Sequence, residues 1–256
     1  PASSGRFSYS YYRRGLRGAI MRKKTQQKDR LFQEEEEKRL REMFRLEEEL
    51  LAGGYRLIAG VDEAGRGPLA PPVVAAAAVI PPDTFIPYLN DSKKLTARQR
   101  AAVYQQILAL KIPYGIGQAS VGEIDRLNIL NASRLAMMRA VRNLPVQPDF
   151  LLIDGYAWPG IDLPHRGVIG GDGLSMSIAA ASILAKVTRD QLMIQLDQAF
   201  PGYGFDKHKG YPTAEHYAAL AQFGPTPIHR RSFNLHIQLP LEPKASRPLE
   251  VKDINR

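Results

Sequence analysis

Two runs of the chain are apolar at almost every position, "VVAAAAVI" at Val73–Ile80 and "FLLI" inside Asp149–Gly155. Apolar runs of this length, bounded by turn residues, predict strands buried on both faces. "YRLIAGVDEA" predicts a strand that precedes the first run and pairs with it across a turn. "YGIGQAS" predicts a third strand, and "GVIGGD" a short fifth one after "FLLI". Elsewhere the apolar spacing stretches to the helical period. Helices are predicted from Thr96 to Leu110, with Asp91 or Ser92 shortly before, and over Glu123–Asn143 in one or two pieces with Leu127, Leu130, Leu135 and Met138 inward. The longest core helix is predicted over Ser175–Phe200, with Met176, Ala180, Ile183, Val187 and Ile194 along one stripe, and a last helix over Thr213–Phe223. "PGYGFDKHKGYP" between them reads as a loop.

Upstream, "DRLFQEEEEKRLREMFRLEEELL" keeps a helical rhythm at Leu31, Leu40, Phe44 and Leu50 among mixed charges, and Gly53-Gly54 ends it. This predicts a solvated, charged helix lying on the domain surface. Residues 1–28 carry eight basic side chains, three tyrosines and no acid, which predicts a loose arm suited to nucleic acid. The expected organisation is a charged extension at residues 1–54, one catalytic domain at 55–239 and a polar tail at 240–256. Strands interleaved with helices, opening on an antiparallel pair, predict an α/β fold around a mixed sheet.

At 256 residues, the length suits one sizeable domain with an appendage. The absence of cysteine excludes disulfides, thiolate-zinc sites and cysteine nucleophiles. Thirty-five Lys and Arg against 26 Asp and Glu give a net charge of +9, which favours a polyanionic partner, nucleic acid before membrane. With no apolar run near the roughly 18 residues a membrane span needs and no secretory signal, a cytoplasmic placement is expected.

Four acids stand where a strand gives out or a helix begins. Asp62 and Glu63 end the first strand, Asp154 closes "FLLI", and Asp172 sits between two glycines ahead of the long helix. Buried carboxylates need hydrogen bonds, cations or a metal. Each alone reads as readily as a turn or helix cap. Together, in a basic chain, they suggest a site for hard divalent cations. Adjacent strand residues face opposite ways, so Glu63 reaches such a site only if the chain bends there.

The blocks "GVDEAGRGPLA", "DSKKL", "EIDRLNI", "LLIDG", "GGD" with "SIAAASILAKVTRD", "PGYGFDKHKGYPTAEH" and "GPTPIHRRSF" run in this order over Ile58–Phe233. In them the chain resembles ribonuclease HII, the bacterial type 2 ribonuclease H. The resemblance implies a ribonuclease-H-like mixed sheet flanked by helices, with a small C-terminal helical portion. It implies an endonuclease that hydrolyses the RNA strand of RNA/DNA hybrids and incises duplex DNA 5′ of embedded ribonucleotides, leaving 3′-hydroxyl and 5′-phosphate ends. It implies two Mg²⁺ or Mn²⁺ ions held, with substrate, by Asp62, Glu63, Asp154 and Asp172, in a monomer that needs no membrane. Gly65, Arg66 and Gly67 fall on the segment that holds the ribonucleotide and its 2′-hydroxyl mainly through backbone groups. Tyr211 falls on the tyrosine that senses the junction to the following deoxynucleotide. A 2′-hydroxyl both donates and accepts, glycine allows close backbone approach, and an aromatic ring offers a stacking face.

Lys93, Lys94 and Lys186 read as phosphate contacts, as do Arg230 and Arg231, with a solvated surface role nearly as strong a reading for each. Ser133 and Asn131 are further candidates for touching the nucleic-acid backbone. His208, His216, His229 and His236 lack metal-ligand spacing and read as loop or surface residues. Three positions depart from the family pattern: Pro71 stands for the usual glycine, Gly170 for the usual lysine, and Leu174 for a polar or basic residue. These departures and the basic N-terminus suggest a weakly active nucleic-acid-binding relative as one alternative. A ribonuclease HIII-like hybrid nuclease is another, disfavoured by Gly65-Arg66-Gly67 and Tyr211.

Overall fold

The computed structural model describes residues 27–236, so most of the expected basic arm (1–28) and all of the expected polar tail (240–256) lie outside the described residues. Its centre is β1 (Ile58–Ala64), which pairs antiparallel with β2 (Val73–Ala78) on one side and parallel with β4 (Phe150–Asp154) on the other. β3 (Tyr114–Ala119) adds antiparallel to β2, and β5 (His165–Val168) adds parallel to β4. The mixed sheet therefore runs β3-β2-β1-β4-β5. The fifth strand shares only Gly167 and Val168 with the expected "GVIGGD"; Gly170 and Gly171 instead lead into a one-turn 3₁₀ helix at Gly171–Gly173.

Both faces of the sheet are covered, which explains why β2 is apolar and buried at every position. α4 (Val121–Leu127) and α5 (Ile129–Arg142) lie on the face shared by Val61, Ala75 and Ala77. α3 (Ala97–Ala109) and α6 (Met176–Ala199) lie on the face shared by Ala76 and Ala78. Thr96 and Ser120 cap α3 and α4 through reciprocal capping boxes, as Thr-x-x-Gln and Ser-x-x-Glu should. Gly60 sets the depth of α6, because a Cβ there would lie 2.1 Å from the Ser177 backbone. α6 thereby settles onto β1 two residues before Asp62.

The stripes differ in detail from the expected ones. α5 buries Ala132, Ser133, Ala136, Met137 and Ala140, while Leu130 is exposed. Small residues face the sheet because Gly115 and Gly117 of β3 bring the helix too close for leucine. Ile194 of α6 is also exposed, beyond the reach of the sheet. The loop "PGYGFDKHKGYP" contains a single helical turn, α7 (Phe205–His208), and α8 (Ala214–Phe223) follows. These pieces make a separate small core of Tyr203, Phe205, Ala219 and Leu220 with Leu69 and Met193.

The charged N-terminal stretch is helical over residues 27–43 (α1) and again in α2 (Arg45–Ala52). Leu31 is exposed, but Leu40, Met43 and Phe44 join the core beside α3 and α6. Two of its glutamates are buried. Glu36 pairs with Arg39 at 2.6 Å and accepts from the Tyr88 backbone at 2.6 Å. Glu47 accepts from Ser175 Oγ at 2.6 Å and from the Ser177 N–H at 2.9 Å, placing a carboxylate at the N-terminus of α6.

Candidate active site

β1, β4 and the 3₁₀ turn end side by side, and each delivers one acid to the same spot. Asp62, Asp154 and Asp172 offer carboxylate oxygens that all lie within 4.8 Å of one another. Local bonds hold them there. The Glu63 N–H donates to Asp62 Oδ1 at 2.7 Å, and the Gly171 N–H donates to Asp154 Oδ1 at 2.8 Å. The second bond ties the turn carrying Asp172 to the end of β4. A Cβ on Gly171 would displace the end of the Ile178 side chain, 2.5 Å away, and crowd Asp154 Oδ1 at 3.3 Å.

Glu63 behaves differently. β1 stays regular to Ala64, so Glu63 pairs with Ala75 and alternates to the other face, without the bend that would join it to the cluster. It lines the same cleft but lies outside the three-acid group, 3.5 Å from the Arg66 guanidinium.

Burial, then Glu63 and Asp154, push the Asp62 carboxyl well above its ordinary range. Burial, then Asp154 and Asp91, raise that of Asp172 against the pull of Lys93. Glu63 is also raised, by burial first, with Arg66 opposing. Lys93 Nζ reaches Asp172 Oδ2 at 3.4 Å and is otherwise exposed. Burial disfavours its charge, but Asp172 and then Asp62 and Asp91 outweigh that, so its pKa is raised. Three oxygen donors this close, with one cation at their edge, suit a hard divalent ion.

Across the cleft, Gly65 is buried while Arg66 and Gly67 are exposed. Tyr211 is 43% exposed, and a Cβ on Gly67 would lie 3.6 Å from its ring. Lys186 faces the same cleft, half-buried and 2.7 Å from Asp190 Oδ1. Burial lowers its pKa despite that carboxylate. The remaining basic candidates fare unevenly. Lys94 is exposed, and Arg231 is exposed with its N–H donating to Asp125. Arg230 is not a surface residue at all: it is fully buried, and its guanidinium donates to backbone carbonyls.

The other expectations need similar correction. His208, His216 and His229 are buried, not on the surface; only His236 is exposed. His208 and His216 stack with ring centroids 4.4 Å apart, and His216 Nε2 meets His229 Nε2 at 3.0 Å. The ends of this relay fix its tautomers. His229 Nδ1 accepts from the Thr226 N–H, so its Nε2–H donates to His216 Nε2, and His216 Nδ1–H donates to the Tyr211 carbonyl. The histidines thus sit behind Tyr211. Ser133 is buried within α5, and the exposed Asn131 donates to the Leu127 carbonyl. Gly170 adopts φ +66° at the start of the 3₁₀ turn, and Leu174 is 53% exposed just after it. Pro71 is buried, and its carbonyl accepts from Arg230 at 3.0 Å.

The chain is similar to known proteins in sequence and in fold. The family model described as ribonuclease HII matches residues 59–236. Ribonuclease HII of Desulfitobacterium hafniense (strain DSM 10664 / DCB-2) is 52% identical over 221 residues, covering 86% of this chain and 84% of that protein. Ribonuclease HII of Geobacillus kaustophilus is 53% identical over 197 residues, 77% of this chain and 75% of its own. Among solved structures, ribonuclease H2 from Pyrococcus horikoshii OT3 superposes with a TM-score of 0.58 at 28% identity, covering 70% of this chain and 95% of that one.

Proposed function

Because the chain belongs to the ribonuclease HII family, and so is a divalent-metal-dependent ribonuclease H endonuclease acting on RNA/DNA hybrids, we propose that its cleft incises duplex DNA 5′ of embedded ribonucleotides. The observation that supports this is a cleft lined by Asp62, Asp154, Gly65-Arg66-Gly67 and Tyr211, with Asp172 converging on the first two acids. Asp62, Asp154 and Asp172 are the ligand set, with Glu63 joining from the cleft wall. Two Mg²⁺ or Mn²⁺ ions held there with substrate would lower the pKa of an attacking water and stabilise the 3′ oxygen as it leaves.

The chain's own groups do the rest. Asp62 and Asp154 are oriented by the N–H groups of Glu63 and Gly171, so their oxygens need no reorganisation when substrate arrives. Lys93 and Lys186 place cations beside the acids, where a phosphate passes. Gly65-Arg66-Gly67 holds the ribonucleotide through backbone groups, and the exposed face of Tyr211 packs against the sugar at the junction with the next deoxynucleotide.

The test is a duplex carrying one ribonucleotide in otherwise DNA strands, incubated with Mg²⁺ or with Mn²⁺. Cutting on the 5′ side of that nucleotide, with 3′-hydroxyl and 5′-phosphate ends, is expected, and an all-DNA duplex should stay intact. Cutting of long hybrids with the single-ribonucleotide duplex left whole would replace this reading with a ribonuclease HIII-like one.

A further inference from the structure

The turn from Gly65 to Pro72 is fastened from behind by two buried arginines. Arg230 donates to the carbonyls of Gly65 (2.5 Å), Arg66 (2.7 Å) and Pro71 (3.0 Å). Arg189 donates to the carbonyls of Ala70 (3.1 Å) and Lys209 (3.0 Å), with a longer contact to Pro72 (3.4 Å). Neither arginine forms an ion pair among the described residues. Burial, and then the like charge of Arg189, push the Arg230 guanidinium down to about 9, which still leaves it charged at neutral pH. Two buried cations here contribute little as charges; what they supply is a fixed fork of donors.

The consequence lies on the opposite edge of each peptide. Both peptides of Gly65-Arg66-Gly67 are trans. A trans peptide points its N–H away from its C=O. With the Gly65 and Arg66 carbonyls turned inward to Arg230, the N–H groups of Arg66 and Gly67 point outward, at residues that are exposed. Neither amide donates a hydrogen bond among the described residues. Resting on the reading of this turn as the ribonucleotide-holding segment, we propose that Arg230 is a positioning residue that sets specificity for the 2′-hydroxyl. By occupying the inner carbonyls it aims the Arg66 and Gly67 amides at the ribose oxygen. A lysine could not substitute, since one ammonium cannot reach three carbonyls in the fork geometry.

The experiment compares binding, without added divalent metal, of a duplex with one ribonucleotide and of the same duplex in all-DNA form. The wild type should prefer the first by about tenfold, the value of one or two hydrogen bonds. Arg230→Lys should bind both equally while its affinity for the all-DNA duplex stays within about twofold of wild type. A purely architectural arginine would weaken both duplexes alike or neither. If the variant does not fold, hydrogen exchange on the wild type decides. The Arg66 and Gly67 amides should slow with the ribonucleotide duplex and not with the all-DNA one. Full discrimination by Arg230→Lys, or equal exchange of the two amides with either duplex, would overturn the role of Arg230 alone. A wild type that binds both duplexes equally would overturn the reading of the turn itself, and this inference with it.

Discussion

The two walls of the cleft treat charge in opposite ways. On one, Asp62, Asp154 and Asp172 bring like charges within 4.8 Å, and the side chains are the working groups on a frame of strand ends. On the other, Arg189 and Arg230 are buried without ion pairs among the described residues and serve as the frame, while the backbone they hold is the working surface. The first wall stores repulsion that a bound cation relieves. The second has its inner carbonyls satisfied before anything binds and leaves the outward Arg66 and Gly67 amides for a ligand. Substitutions should therefore separate activity from stability on the acidic wall and merge them on the other.

Asp62→Asn should lower cleavage by at least about a thousandfold, as loss of a central electrostatic group does. Its melting temperature should hold or rise, because burial and neighbouring acids already disfavour the charge it removes. Unchanged cleavage with a lower melting temperature would invert the assignment of the walls. Arg189→Met should cost about 3 kcal/mol in urea unfolding, since it strips donors from the Ala70 and Lys209 carbonyls. A loss below about 1 kcal/mol would mean the second wall does not depend on its arginines.

Acid should loosen the second wall as well. Burial first, and then His216, lower the His229 imidazole from 6.5 to about 4, so the folded protein holds it neutral. A depressed histidine contributes stability that is present above its unfolded pKa and is lost as the pH falls toward the folded one. The linkage amounts to about 2 kcal/mol between pH 7 and pH 5. Urea unfolding at the two pH values measures it, and His229→Gln should shrink the difference. The smallest effect is expected of Glu47→Gln. Burial raises the Glu47 pKa, and the amide oxygen can still accept from Ser175 and Ser177. The change in unfolding free energy should stay under about 1 kcal/mol.

How much of each wall could be read from sequence follows from the same contrast. The acids announce themselves, because a carboxylate at the end of an apolar strand conflicts with its surroundings. The positions of Asp62, Glu63 and Asp154 were legible as candidates for that reason, as Asp172 was from its place between glycines ahead of the long helix, whereas the order of the strands in the sheet was not. Glu63 was legible as a candidate, but its separation from the other three depends on β1 staying regular, which no local signal fixes. Arg230, His208 and His229 sit in loop-like segments without periodicity, and His216 is a polar residue near the start of a short helix, so nothing marks them as buried. Their burial comes from contacts more than a hundred residues away for Arg230 and from mutual stacking for the histidines. The α5 stripe was misread because the glycines of β3, not the hydrophobicity of the helix, decide which side faces the sheet.

One feature of the second wall also bears on how the protein is made. The bonds from Arg230 to Gly65 and Arg66 close spans of 165 and 164 residues. A chain leaving the ribosome displays its first strand and the four acids Asp62, Glu63, Asp154 and Asp172 before the arginine that fastens the turn has been added. Contacts so distant in sequence form late, after the sheet has assembled. During synthesis the four acids are therefore in the chain before the arginine that fastens the turn beside them, and the shape of that turn is settled after the sheet that carries Asp62 and Asp154.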